Sequence, residues 1–427
     1  MNKIKIGILG FGNIGTGVWN IIEENSNKIN NYLSNTLEVQ KILVRDIYKN
    51  RNISVPQKML TTDPMEIIDD PEIDIIVEVL GGIHPAFEYI KQSFEKGKHV
   101  VTANKAVIAT HGEILRQLAQ EHNVALRYEA SVGGGIPIIN TLTQSLSANK
   151  IEELVGIING TTNYILTQMS DFGMDFDEAL KLAQEKGYAE ADPTSDIQGE
   201  DVAFKLSILI TTAFGIRISP QDIPREGITK ISKKDIDYAS QLGYKIKLFA
   251  TAKRIDNNFE FHVHPTLVPI HHPLASVNNE FNALFIRGNA VGELMLYGKG
   301  AGSMPTGSAV MGDILEISKI IGINFKSAPL NILSENNLNI VGEGLSQYYL
   351  RTQVIDQPGV LGKISSTFGK YGISLESVVQ RSRGNDSVPL IFVTHEVERH
   401  QLDKALEEIK ISGLVNEVAS ILKVENL

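Results

Sequence analysis

Between residues 185 and 215 the chain reads EKGYAEADPTSDIQGEDVAFKLSILITTAFG, which crowds Glu190, Asp192, Asp196 and Asp201 just ahead of Lys205. Asp201 and Lys205 are four apart, so on a helix they share a face. At about 100° per residue that face falls between Ile208 and Leu209, inside or beside the apolar stripe of Val202, Leu206, Leu209 and Ala213. Burial there lowers a lysine pKa while Asp201 raises it, which makes Lys205 a candidate proton donor and acceptor. A snorkelling surface lysine paired with an aspartate has the same spacing. Several carboxylates so close repel one another unless they serve a cationic ligand or cap a helix. Asp196 suits a cap as well as a ligand, whereas Glu190 suits a substrate ammonium. Ser195-x-x-Gln198 has the form of a capping box, so a helix is expected to begin near Ile197, and Gly215 suits its C-terminal end.

A second stretch, KIKIGILGFGNIGTG from Lys3 to Gly17, carries Gly10-Phe11-Gly12-Asn13-Ile14-Gly15. The run Ile4, Ile6, Ile8 and Leu9 suits a buried parallel strand, and Val18, Trp19, Ile21 and Ile22 open a helical pattern. In that setting Gly10 makes a tight turn, Gly12 lets a pyrophosphate approach the backbone and Gly15 lets helix pack on strand. Phosphates then meet free N–H groups at the helix N-terminus. The plainer alternative is a structural turn. At the end of the next strand, Arg45 suits the 2′-phosphate of NADP, Asp46 suits the ribose of NAD, and a solvated Arg–Asp pair suits neither. Lys105, in TANK, falls at a strand end on the same edge, where ligands of such sheets bind; an exposed loop lysine is its alternative. Glu129 precedes a glycine turn. Its residue types favour a strand-end salt bridge, although a carboxylate with backbone carbonyls also holds a small hard cation. His84, His111 and the adjacent pair in HHPLAS (271–276) lack metal-ligand spacing, so no zinc site is expected.

The elements that must position these groups fit a chain of 427 residues, long enough for two to four domains. With 42% hydrophobic and 21% charged residues the composition is that of a globular protein. A net charge of −10 and a pI near 5.6 argue against a nucleic-acid binder or an anionic membrane surface as partner. The absence of cysteine excludes disulfides and thiol catalysis. No signal-peptide region and no bilayer-length apolar run is seen, so a cytoplasmic enzyme is expected.

Residues 1–130 alternate strand and helix, with strands expected at 37–46, 73–80, 99–102 and 124–128 and helices at 85–97 and 112–123. Such alternation implies α/β architecture, a Rossmann-type doubly wound parallel sheet binding a dinucleotide. Residues 131–302 read as an α+β domain for substrate and dimerisation, with 303–330 packing back on the first domain. Residues 331–347 read as a linker, and 348–427 follow the ferredoxin-like order βαββαβ.

The chain resembles homoserine dehydrogenases of the form that carries a C-terminal ACT domain. The resemblance rests on GFGNIGTGV, VEVLGGIHPA, VVTANKAVIA, YEASVGGGIPI, GIINGTTNYIL, GYAEADPTSDIQGEDVAFKL and YGKGAGSMPTGSAVMGD. It covers nearly the whole chain. It implies reversible NAD(P)H-dependent reduction of L-aspartate 4-semialdehyde to L-homoserine, on the route to threonine, methionine and isoleucine. It further implies that Lys205 is the acid–base residue and that Lys105 positions the reacting oxygen beside the nicotinamide. Glu190 would bind the substrate amino group, Asp196 and Asp201 would complete substrate binding and orient Lys205, and Gly187 would line that site. Gly302 would join the glycine loop at the coenzyme. Glu129 with the carbonyls of Val132, Gly134 and Ile136 would form a sodium site, which reverses the salt-bridge reading. Arg45 would favour NADP, with NAD possible.

The turn Asp356-x-Pro358-Gly359 matches the place where ACT domains bind an amino acid; threonine is the expected effector, and a purely oligomeric role is the alternative. A homodimer or homotetramer is expected. Two rival functions remain to be weighed. An amino-acid-sensing regulator with an inactive dehydrogenase fold would not need Lys105, Glu190, Asp201 and Lys205. Aspartate-semialdehyde dehydrogenase would need a cysteine nucleophile, and the chain has none.

Overall fold

The structure, a computed structural model, describes residues 3–51, 53–256, 258–322, 339–340, 344–380 and 387–425. Its strands are β1 (Lys3–Leu9), β2 (Thr36–Leu43), β3 (Leu60–Thr61), β4 (Ile75–Glu78), β5 (His99–Thr102), β6 (Leu126–Arg127), β7 (Ile151–Ile157) and β8 (Tyr244–Ile255). They continue with β9 (Asn258–Pro269), β10 (Phe281–Gly288), β11 (Gly292–Lys299), β12 (Asn339–Ile340), β13 (Gln347–Val354), β14 (Leu375–Val379), β15 (Val388–Thr394) and β16 (Val415–Val424). The residues fall into two compact units. One gathers the described residues of Met1–Lys150, Phe204–Asp222 and Asn289–Glu335; the other gathers those of Ile151–Ala203, Ile223–Gly288 and Asn336–Leu427.

In the first unit six parallel strands stand in the order β3-β2-β1-β4-β5-β6. The chain leaves β1 for one side and returns to β4 on the other, so the carboxyl ends of β1 and β4 flank a topological switch point, where open α/β sheets bind ligands. Ile6, Ile8, Ile75 and Val77 are fully buried, as strands covered on both faces must be. The helix Asn13–Leu33 presents Val18, Trp19, Ile22 and Ile29 to this core, and the helix Ser303–Ile320 adds Val310, Ile314 and Ile317. The two helices approach closely because Gly17 and Gly307 carry no side chain; a Cβ on Gly17 would meet the Ser303 carbonyl oxygen at 2.1 Å.

The expected strand at 99–102 is β5 itself, but β2 ends at Leu43, which leaves Val44, Arg45 and Asp46 in the loop beyond it. The helix expected at 112–123 begins earlier, at Lys105, and ends at Glu121. Asn104 caps it by accepting the Val107 N–H (3.2 Å), and buried Val107 and Ile108 anchor the first turns that Gly112 obscured in the pattern.

In the second unit β10, β7, β8 and β9 are antiparallel neighbours, with β8 and β9 paired along their length from Tyr244–Pro269 to Ile255–Asn258. The C-terminal elements run β13, helix Val360–Lys370, β14, β15, helix Arg399–Ile411, β16. Their order in space, β16-β13-β15-β14, is the ferredoxin-like arrangement expected. Tyr348, Leu350, Phe368, Leu390, Phe392 and Leu402 fill its core. The outer edge of β16 pairs in parallel with β9 at Lys423–Thr266 and Val424–Leu267, so this small sheet continues the larger one. Alternation identifies β16 as a strand and says nothing of its partner. Of the expected linker 331–347, residues 331–338 and 341–343 lie outside the described residues, as do 323–330. No helix among the described residues is long and apolar enough to cross a membrane.

Candidate functional site

At the carboxyl end of β1, Gly10 has φ +107° and a Cβ there would lie 2.9 Å from the Val79 carbonyl oxygen. A Cβ on Gly15 would lie 2.3 Å from the Gly10 carbonyl oxygen, so only glycine lets the helix start this close to the turn. Gly12 differs: a Cβ there would meet nothing within 4 Å. It is the exposed N-cap of the helix, with no side-chain cap of its own. Open space over uncapped N–H groups fits a pyrophosphate. Gly302 (φ +117°) caps the neighbouring helix, and Ser303 Oγ donates to the Asn13 carbonyl at 2.6 Å. The fold thereby brings Gly302 beside Gly12 and Asn13, 290 positions earlier for the bonded pair.

On the same edge a buried carboxylate braces two loops. Glu78, fully buried in β4, accepts the Leu80 N–H (2.8 Å) and the Thr102 hydroxyl (2.6 Å). Asn104 Nδ2 donates to the Gly82 carbonyl at 2.6 Å. Burial raises the Glu78 pKa against those hydrogen bonds. This brace sets the start of the Lys105 helix, with Lys105 half-buried in its first turn. Glu78 was missed in the sequence, although a lone carboxylate inside an otherwise apolar strand was a signal. Arg45 is exposed in the loop after β2; Asp46 Oδ1 closes its own turn by accepting the Tyr48 N–H at 2.8 Å.

Glu129 is buried, and its carboxylate accepts the N–H groups of Ile139 (2.8 Å) and Asn140 (2.7 Å). Its own N–H donates to Asp313 Oδ2 at 2.8 Å. The partners that hold it are thus backbone amides rather than the cation of a strand-end salt bridge. Burial raises the pKa of both acids, that of Asp313 to about 7. Asp313 Oδ1 is buried without a hydrogen-bond partner. Val132, Gly134 and Ile136 lie in the following turn, seated so closely that a Cβ on Gly134 would come 2.4 Å from the Gly300 carbonyl. Two buried carboxyl groups beside a turn of backbone carbonyls are hard oxygen donors that fit a small cation. Among the described residues no group of three or more His, Cys, Asp or Glu forms a metal cluster.

The acidic segment folds differently from the expectation of one helix from Ile197. Ser195 lies inside a short helix, Thr194–Ile197; Gly199 (φ +79°) breaks it, and the long helix runs Glu200–Phe214, followed by Gly215 at φ +67°. Asp192 closes the turn that leads into the short helix, accepting the Thr194 N–H and hydroxyl at 3.1 and 2.6 Å, while Pro193 is its N-cap. Asp196 does not need to serve as that cap. Its Oδ1 and Asp201 Oδ2 both accept from Asn159 Nδ2, at 2.7 and 2.8 Å. Asp201 is 4% exposed. Glu190 and Gly187 are exposed on the turn just before, which Thr161 pins by donating to the Tyr188 carbonyl (2.6 Å). Lys205 stands half-buried one turn beyond Asp201, on a helix whose Val202, Ala203, Leu206, Ile208, Leu209 and Ile210 are all buried. Asn159 was read in the sequence only as a turn.

Comparison with known proteins decides what this arrangement belongs to. A family model described as "Homoserine dehydrogenase" matches residues 137–315, one for its NAD binding domain matches 10–129, and one for the ACT domain matches 348–422. The homoserine dehydrogenase of Synechocystis is 42% identical, covering 99% of each chain. The chain belongs to the homoserine dehydrogenase family. A crystal structure of a homoserine dehydrogenase from Thiobacillus denitrificans superposes with a TM-score of 0.93 at 39% identity, covering 100% of this chain and 99% of that one. A hyperthermophilic archaeal homoserine dehydrogenase solved in complex with NADPH has a TM-score of 0.62 at 28% identity, covering 74% of this chain and 98% of that one. The chain is accordingly an NAD(P)-dependent oxidoreductase acting on CH–OH, a homoserine dehydrogenase with a nicotinamide-binding domain and an ACT domain. The reading as an inactive regulator is set aside.

Proposed function

We propose that the enzyme reduces L-aspartate 4-semialdehyde to L-homoserine in the biosynthesis of threonine, methionine and isoleucine, with Lys205 as its acid–base residue. The observation that carries this is the placement of buried Asp201 and half-buried Lys205 one turn apart on one helix, behind the acidic turn. Bound NAD(P)H supplies the hydride that the aldehyde carbon takes up. As the carbonyl π bond opens, the oxygen becomes an alkoxide, and the Lys205 ammonium protonates it. Lys105 stabilises the same developing charge and positions the oxygen. Glu190, with Gly187 in the same turn, receives the substrate ammonium; Asp196 and Asp201 complete that anionic site and orient Lys205. Holding the small zwitterion against the coenzyme is itself a large part of the rate.

Gly10, Phe11, Gly12, Asn13, Ile14, Gly15 and Gly302 cradle the coenzyme phosphates, and Arg45 selects NADP over NAD by pairing with the 2′-phosphate. Glu129 and the carbonyls of Val132, Gly134 and Ile136 would hold sodium, whose charge offsets the two buried carboxyl groups. Residues 1–130 would form the coenzyme domain with the helix Ser303–Ile320 packed on it, 131–302 the substrate and dimerisation domain, and 348–427 the ACT domain; of the expected 303–347, residues 323–338 and 341–343 lie outside the described residues. Gly359, at φ +88° just before the helix Val360–Lys370, opens the turn with Asp356 and Pro358 where an amino-acid effector, threonine by pathway logic, would bind. The enzyme would act in the cytoplasm as a homodimer or homotetramer.

The test is reduction of NADP and of NAD with L-homoserine by the wild type and by Lys205→Ala. Turnover that falls by about two orders of magnitude or more in the variant supports the proton-transfer role. A fully active Lys205→Ala removes it. Threonine that alters neither rate nor thermal stability removes the effector.

A further inference from the structure

Asn159 caps the helix Gly160–Phe172: its Oδ1 accepts the Thr162 N–H at 2.8 Å. Asp and Ser cap helices as well as Asn does, so capping does not explain the amide. The cap does settle which way the amide points. With Oδ1 turned to Thr162, Nδ2 faces Asp196 Oδ1 at 2.7 Å and Asp201 Oδ2 at 2.8 Å. An amide nitrogen carries two donor hydrogens, one for each carboxylate. Asp and Ser cannot supply both. Asn159 and Asp201 are each 4% exposed and Asp196 is half-buried, so water reaches the pair of like charges only from the Asp196 side.

The helix start that carries this amide is itself fixed. A Cβ on Gly160 would lie 2.8 Å from the Glu280 carbonyl oxygen. Asn163, one turn on, shares the two hydrogens of its Nδ2 among the carbonyls of Val277, Asn279 and Phe281 at 3.1, 2.9 and 3.1 Å. Its Oδ1 accepts from buried Lys247 at 3.0 Å. The amide therefore approaches the two carboxylates from a rigid base.

We propose that Asn159 is a positioning residue of the dehydrogenase reaction, its side-chain amide bridging Asp196 and Asp201 into one preformed anionic face for the substrate ammonium and for Lys205. This rests on the roles proposed above for the two aspartates. Asn159→Asp keeps the shape and the cap but turns a third carboxylate oxygen on the pair. Asn159→Ala loses cap and bridge together without adding charge.

The experiment measures kcat, the KM for L-homoserine, the KM for coenzyme and Tm for both variants, beside Asp201→Asn. A residue that only stabilises the helix gives Asn159→Asp the better values throughout. The bridge predicts opposite orders: Asn159→Asp melts above Asn159→Ala yet turns over about tenfold more slowly, with a raised homoserine KM and an unchanged coenzyme KM. Rates that follow Tm, with a poor Asp201→Asn, overturn the bridge alone. Asp201→Asn with wild-type constants overturns the site reading and the bridge with it.

Discussion

Lys423 on β16 and Glu260 on β9 form a buried ion pair, Nζ to Oε1 3.2 Å, where the last strand of the ACT domain joins the larger sheet. Glu425, two residues on, pairs with Lys253 of β8, and Lys253 also reaches Glu153 of β7 at 2.9 Å. A buried pair costs much to desolvate, and removing one partner costs more than removing both. Lys423→Met is therefore expected to destabilise the protein by about 3 kcal/mol, whereas the double variant Lys423→Met/Glu260→Gln recovers most of the loss. Thermal melts of the single and double variants check this; equal losses would show that the two charges do not depend on each other.

Glycines twelve and fifteen are expected to fail differently. Gly15→Ala forces a Cβ against the Gly10 carbonyl and should lower Tm as well as coenzyme affinity. Gly12→Ala meets open space, so Tm should hold while coenzyme affinity falls at least about tenfold, because the methyl occupies the pyrophosphate's approach. Coenzyme titration by fluorescence beside a melt separates the two. Unchanged affinity in Gly12→Ala would place the phosphates elsewhere.

Arg45 is expected to act on one coenzyme only. Its side chain is exposed after β2, so Arg45→Ala should leave Tm and the NAD constants unchanged. The KM for NADP should rise about tenfold, the worth of one charge-assisted pair. Equal effects on both coenzymes would count against the 2′-phosphate contact.

Stability should fall on the acid side through two stacked histidines. His262 and His264 have ring centroids 4.8 Å apart, and burial lowers their pKa values to about 4 and about 2. Unfolded, each takes up its proton near 6.5. Their share of stability is thus complete above pH 6.5 and lost as pH falls toward the folded values, at up to about 1.4 kcal/mol per pH unit for each. Tm followed from pH 7.5 to 4.5 should drop, and His262→Gln should drop less steeply over the same interval. A parallel decline would show that other groups take up the protons.

The local units were legible in the sequence. Apolar runs placed β1 and β5, strand and helix patterns placed the C-terminal βαββαβ order, and Gly10-x-Gly12-x-x-Gly15 placed the tight turn after β1, because strand period, helix period and the steric needs of a tight turn act over a few residues. The shared face of Asp201 and Lys205 was legible for the same reason: four residues make one turn. Resemblance over nearly the whole chain supplied the family.

Only the tertiary structure decided what meets across long separations. It set Ser303 on Asn13, Asp313 on the Glu129 amide and β16 on β9. It also made Asn159 a bridge to Asp196 and Asp201, where the sequence showed only a turn before a helix. Periodicity records which face of an element is buried; the identity of the atoms opposite depends on how distant elements pack, and that is decided by burial and hydrogen-bond satisfaction over the whole fold.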